Sequence, residues 1–234
     1  MDTSYRIDDA YLLPPEVREV LDRKYRIFQR ITGNFPVSLG KDVSKKEREE
    51  MHNSSSTLTY GEVEFISIGE IFETIKARYG TIPSGGVFYD LGSGTGKGVI
   101  AGAMLHNFNR CVGIEILEGL YNVSVQQKQE YDNVFPEEVK NSPDLFSNKP
   151  EVEFYKNDMF VQGWSDATVI FANSTCFDLQ MMGNIADAPV APGTWALTLT
   201  KNFNSPKWRI FESIRKVMSW GEATVYIQQR LPLE

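Results

Sequence analysis

The strongest constraint in this sequence is the run Phe88-Tyr89-Asp90-Leu91-Gly92-Ser93-Gly94-Thr95-Gly96-Lys97. Val87-Phe88-Tyr89 reads as a short buried strand. It delivers the chain to a sharp turn in which alternating glycines let the backbone pass close to a ligand. A helix expected from about Lys97 to His106 then points its N-terminal amides at whatever occupies the turn. Two nucleotide motifs compete for this loop and both fail. A phosphate-cradling Walker loop needs glycine five positions before Gly96, where Leu91 stands. A dinucleotide fingerprint wants glycine at position 97, where there is lysine. The pattern D-L-G-S-G-T-G instead matches a loop that receives a nucleoside sulfonium, the other reading being a tight turn in an unrelated fold. Asp90 can orient the loop amides or reach a ligand amino group.

The rest of the chain supplies the frame. A first helix opens at Pro14-Pro15 and runs towards Thr32, with Val17, Val20, Leu21, Tyr25, Phe28 and Ile31 on one face, until Gly33, Asn34 and Pro36 end it. Lys41 to Ser56 is charged and then serine-rich, and reads as a mobile linker or lid. Residues 1–56 are therefore expected to form a helical N-terminal extension, and residues 57–234 a single α/β domain. A helix is predicted from Phe65 to Tyr79 on the stripe Ile68, Ile71, Phe72, Ile75. Strands are predicted at Cys111 to Ile114, Val152 to Tyr155, Thr168 to Ala172 and Trp195 to Leu199. Between them fall a helix towards Tyr131, a polar insertion from Val134 to Pro150, and a short helix near Leu179 to Ala186. Ile210 to Gln229 reads as two strands around Trp220-Gly221-Glu222. Alternating strands and helices predict a mostly parallel sheet with helices on both faces, and the closing hairpin adds one antiparallel strand.

Each strand end carries a polar candidate, and ligands of such sheets bind outside the carboxyl ends of the strands. Val112-Gly113-Ile114-Glu115 places an acid where it could accept two ribose hydroxyls; the alternative is a solvated acid at a helix start. Asp158 could accept an amino group of a purine while Met159 or Phe160 packs on the base, or it could be an ordinary turn aspartate. Asn173-Ser174, followed by Phe177, suits the orientation of an amine lone pair beside an aromatic wall; the plainer reading is a turn with a core phenylalanine. Tyr226 and Trp220 are further candidates for that wall, the plainer reading of each being core packing.

A formal charge of -7 and a pI near 5.1 argue against a broad electrostatic grip on nucleic acid. Cys111 and Cys176 alone make no zinc pattern, and both read as packing residues of apolar strands. The polar start, Met1 to Asp9, is no secretory signal, and no apolar run approaches the roughly 20 residues that span a bilayer. A soluble, intracellular protein is the expectation, with no membrane partner.

Together with Thr59-Tyr60-Gly61-Glu62, these motifs resemble the Dot-one family of non-SET histone-lysine methyltransferases over roughly Thr57 to Arg230. The resemblance implies a class I methyltransferase: a Rossmann-like sheet of seven strands, mostly parallel with one antiparallel strand, and S-adenosylmethionine as cofactor. It assigns Tyr60, Gly61 and Glu62 to a segment folding over the methionine end of the cofactor. Asp90, Gly92, Gly94, Gly96 and Lys97 become the cofactor loop, Glu115 the ribose acid, and Asp158 with Met159 the adenine end. Asn173, Ser174, Phe177 and Tyr226 fall on the acceptor side, Asn173 also facing the cofactor. Lys97 stands where the family usually has glutamine, and Ser174 where it has a second asparagine. The implied substrate is a protein presenting a lysine, a histone being one candidate, which would make the location nuclear rather than cytoplasmic. The rival expectations are a methyltransferase for a small molecule or another protein group, and a cofactor-binding scaffold without activity.

Overall fold

Apolar residues at alternate positions and at helical spacing sort this chain into one sheet with a helical layer on each face. The computed structural model describes residues 13–51, 60–80 and 82–232. In chain order the elements are α1 (Pro15–Thr32), α2 (Val37–Glu50), α3 (Phe65–Arg78), β1 (Val87–Leu91), α4 (Lys97–Leu105), β2 (Arg110–Glu115) and α5 (Glu118–Asn141). They continue as β3 (Glu151–Lys156), β4 (Val169–Ala172), α6 (Leu179–Asp187), β5 (Trp195–Leu199), β6 (Trp208–Met218) and β7 (Gly221–Arg230). The strands form one seven-stranded sheet in the order β3-β2-β1-β4-β5-β7-β6. β1 pairs in parallel with both β2 and β4, whereas β7 runs antiparallel to its neighbours β5 and β6. Only β7 therefore opposes the others, as the sequence predicts. From β1 the chain winds outward to β3 on one side and through β4 to β5 on the other. The carboxyl ends of β1 and β4 thus flank the switch point where such sheets bind ligands.

The pleat divides the core. Phe88, Cys111, Val169 and Phe171 pack on one face with Phe65, Ile68, Ile71 and Phe72 of α3 and Val99 and Met104 of α4. Tyr89, Leu91, Val112, Ile114 and Ile170 point to the other face, where Phe177, Ile185, Phe203 and Trp208 cover them. Among the described residues no helix is long and apolar enough to cross a membrane.

Two stretches differ from the sequence reading. Residues 41–50, expected to be a mobile linker, belong to α2. Part of its hold on the domain is polar: both oxygens of Glu47 accept amides at the start of α5, a tie that hydrophobic periodicity does not register. Residues 52–59, which include the rest of that linker and Thr59, lie outside the described residues. The second difference is α5, which continues through Pro136 to Asn141 instead of giving way to an insertion at Val134. Phe135 is fully buried, and Val134 and Val139 pack on the same cluster. Their burial outweighs the helical hydrogen bond that proline forfeits.

Candidate active site

The carboxyl edge of the sheet encloses a cavity of about 400 Å³. It is built first from backbone. The amides of Gly92 and Ser93 both donate to the Ile114 carbonyl, at 2.9 and 3.0 Å, binding the loop after β1 to β2. Gly94 and Gly96 have φ of +56° and +91°, a region closed to most side chains. Space excludes them as well: a Cβ on Gly94 would lie 2.6 Å from the Tyr60 ring, and one on Gly96 2.5 Å from Phe154.

Five expected cofactor side chains meet at this loop. Glu115, at the end of β2, is buried; Oε2 accepts the Gly94 amide at 2.8 Å and Oε1 the Leu117 amide at 2.8 Å. Burial drives its pKa upward against the pull of these amides. Asp90 is buried too, and burial followed by the nearby Glu115 charge pushes its carboxyl up to about 8. A Cβ on Gly98 would collide with the Asp90 carboxylate, so the second residue of α4 must be small, a requirement that no motif of the sequence displays. Above the loop lies the Tyr60-Gly61-Glu62 strap. The Tyr60 hydroxyl donates to the Glu62 carboxylate and pairs with Thr95 Oγ1 at 2.8 Å. Lys97 Nζ donates to Glu62 Oε2 at 2.7 Å, with both side chains largely buried. Burial and the Glu62 carboxylate hold the Tyr60 hydroxyl far above its ordinary pKa, as a neutral donor.

The strap is pinned from the far end of the chain. The Glu62 amide donates to Ser219 Oγ at 3.0 Å, and the Ser219 amide to the Glu62 carbonyl at 3.1 Å. The Trp220 ring lies where a Cβ on Gly61 would be, 2.6 Å from that position. Trp220, considered above for an acceptor wall, is therefore a cover on the strap. On the side where the sequence leads one to expect a base, Asp158 accepts the Phe160 amide at 2.9 Å in a tight turn, and Asn157, Asp158, Met159 and Phe160 line the cavity together with Ile116, Leu117 and Leu120. Ile116 and Leu117 follow Glu115 directly and Leu120 comes three residues later, in the first turn of α5, positions from which their part in the wall could have been anticipated.

On the β4 side the placement is mixed. Asn173, Cys176, Phe177 and Met181 line the cavity. Asn173 Nδ2 donates to the Gly61 carbonyl at 3.0 Å and its Oδ1 accepts Thr175 Oγ1 at 3.2 Å, so this side chain ties the strap to β4. Lys201 Nζ donates to the carbonyls of Thr175 at 3.0 Å and Phe177 at 2.5 Å, fixing the segment from behind. Ser174 does not face the cavity: it is fully buried and donates to the Leu199 carbonyl at 2.7 Å, a link between β4 and β5. Tyr226 is half-buried in β7, opposite Thr198 and Ser213, and is not among the lining residues. Cys176, expected inside a strand, instead sits in a short turn on the cavity wall.

These residues fit a nucleoside sulfonium. Each Glu115 oxygen takes one amide and can accept a second donor, as ribose hydroxyls require. Asp90, Glu62 and Glu115 offer carboxyl groups to such a ligand, and Ile116, Leu120 and Met159 offer an apolar slot for a base.

Residues 42–220 match the model of the family described as "Histone methylation protein DOT1". No curated protein matches the chain. Among solved structures, a point mutant of MtNAS covers 94% of this chain and 78% of its own at a TM-score of 0.52 and 12% identity, a likeness of fold alone. An RNA methyltransferase from Salinibacter ruber in complex with S-adenosyl-L-homocysteine aligns at a TM-score of 0.47 and 24% identity, over 70% of this chain and 92% of that one. A putative RNA methyltransferase from Pyrococcus horikoshii aligns at 0.47 and 9% identity, over 70% and 84%.

Proposed function

The chain belongs to the DOT1 histone methylation family, and from that premise we propose that it methylates a lysine side-chain nitrogen of a protein, with a histone as the first substrate to test. Family membership makes it a methyltransferase and S-adenosylmethionine its cofactor. The cofactor supplies a methyl group made electrophilic by its sulfonium. The chain's own residues bind, align and exclude water. Glu115 receives the ribose, Asp90 and the Tyr60–Glu62–Lys97 network hold the methionine end, and Asp158 with Met159 borders the base.

One observation carries the choice of acceptor: the β4 side of the cavity offers Asn173, Cys176, Phe177 and Met181, none of them a carboxylate or imidazole base. A lysine nitrogen suits such a wall. Its ordinary pKa is about 10.4, and desolvation beside a cationic donor lowers it. The proton can then pass to water with no dedicated base. The remaining task is alignment of nitrogen, methyl and sulfur, which fixed walls accomplish. Phe177, held through its carbonyl by Lys201, and Asn173, fixed at both ends of its amide, are the groups that set the line of approach.

The test incubates purified protein and methyl-labelled cofactor with histones and with total cell lysate, followed by mass spectrometry of the labelled residue. Label on a lysine is expected. Label confined to RNA or to small molecules would overturn the protein-lysine assignment. In the same assay Asn173→Ala, which loses both hydrogen bonds of its amide, should turn over about tenfold more slowly, a cost of about 1.4 kcal/mol; an undiminished rate would remove Asn173 from the acceptor site.

A further inference from the structure

α2 reaches both walls of the cofactor cavity. At its start, Gly40 leaves the space that the Tyr60 ring fills: a Cβ there would collide with that ring. One turn later Val43 lies against α5, where a Cβ on Gly119 would come within 2.5 Å of Val43 Cγ1. After another turn, Glu47 Oε1 accepts the Glu118 amide at 2.8 Å and Oε2 the Gly119 amide at 2.7 Å. These amides belong to the first turn of α5, which has no partner for them within the helix, and Leu117 at the cap position offers no side-chain acceptor. A carboxylate there also meets the positive end of the helix dipole. Glu47 thus does from another helix what a capping side chain usually does from within. The turn it fixes follows Glu115-Ile116-Leu117, whose side chains line the cavity.

We propose that Glu47 is a positioning residue for the cofactor, and that α2 is a brace setting the distance between the Tyr60 strap and the start of α5. Glu47 does not line the cavity. It acts through the backbone of residues 118 and 119, and hence on the Glu115 carboxylate and on the Ile116–Leu120 wall. This rests on the cofactor reading given above, and it places part of the binding determinant in the N-terminal helical segment.

The test uses the full chain and S-adenosylhomocysteine as the calorimetric probe, with amide hydrogen exchange on the protein alone. Glu47→Ala should weaken probe binding about tenfold and speed exchange at Glu118 and Gly119. Glu47→Gln keeps an oxygen for one of the two amides and should recover most of the affinity. Gly119→Ala, whose Cβ would meet Val43 Cγ1 at 2.5 Å and Glu47 Oε2 at 3.0 Å and so wedge α2 off α5, should weaken binding in the same direction. Lys45→Ala, on the exposed side of α2 and paired with Glu49 at 3.9 Å, should match the native chain. Native probe affinity in both Glu47→Ala and Gly119→Ala, or unchanged exchange at residues 118 and 119, would overturn the brace. Failure of the native chain to bind the probe would instead overturn the cofactor reading, and the exchange rates would then decide the role of Glu47 alone.

Discussion

Asp90 shows how a single side chain trades stability for binding. Its pKa in the fold, about 8, stands well above the ordinary 3.8 because burial disfavours the charged form and Glu115 adds a like charge. A raised acid pKa means the native state holds its proton more tightly than the unfolded state does. The contribution to stability is therefore full below about pH 4 and is lost as pH rises through 8. Between pH 5 and 8.5 the free energy of unfolding should fall, by on the order of 2–4 kcal/mol. Asp90→Asn, which mimics the protonated form, should flatten most of that slope; Glu115, shifted in the same direction, leaves a remainder. Urea melts across this range provide the check, and a native stability that is level or climbs towards alkaline pH would contradict the argument. The loop around Asp90 was readable in the sequence because glycine identity reports backbone torsion directly. Ser174 and Tyr226 were not, since whether a polar side chain near a strand end faces the cavity or a neighbouring carbonyl depends on tertiary partners.

At the scale of elements, those with an apolar stripe or a dense apolar run, α1, α3, β1, β2 and β5, could be read within a residue or two. α2 and the second half of α5 could not. α2 is attached through a carboxylate and a notch at glycine rather than by a continuous hydrophobic face, while α5 keeps its course past Pro136 through contacts that sequence pattern does not display. The β6–β7 hairpin was visible as two strands, but not the use of its tip. Trp220 is 36% exposed, so its removal should cost the fold no more than about 1 kcal/mol. Because it covers Gly61, Trp220→Ala should nevertheless weaken S-adenosylhomocysteine binding severalfold. Calorimetry paired with a thermal melt separates the two effects, and unaltered affinity would free the hairpin tip from any part in the site.

For the whole molecule, the balance of charge bears on what it can approach. With 31 acidic against 24 basic residues, the chain lacks the excess of cations that draws proteins to phosphate backbones. Its affinity for a random DNA duplex at physiological salt should be weaker than about 100 µM, measured by fluorescence anisotropy; tighter, salt-sensitive binding would point to a nucleic-acid partner instead. The same scale exposes a consequence of how the strap is fastened. Glu62 and the Ser219 that holds it are 157 positions apart, so during synthesis the donor pocket stays unfinished until the closing pair of strands has left the ribosome. A growing polypeptide can draw the full benefit of the cofactor only once that fastening has formed, so the ligand most strongly rewards the completed fold.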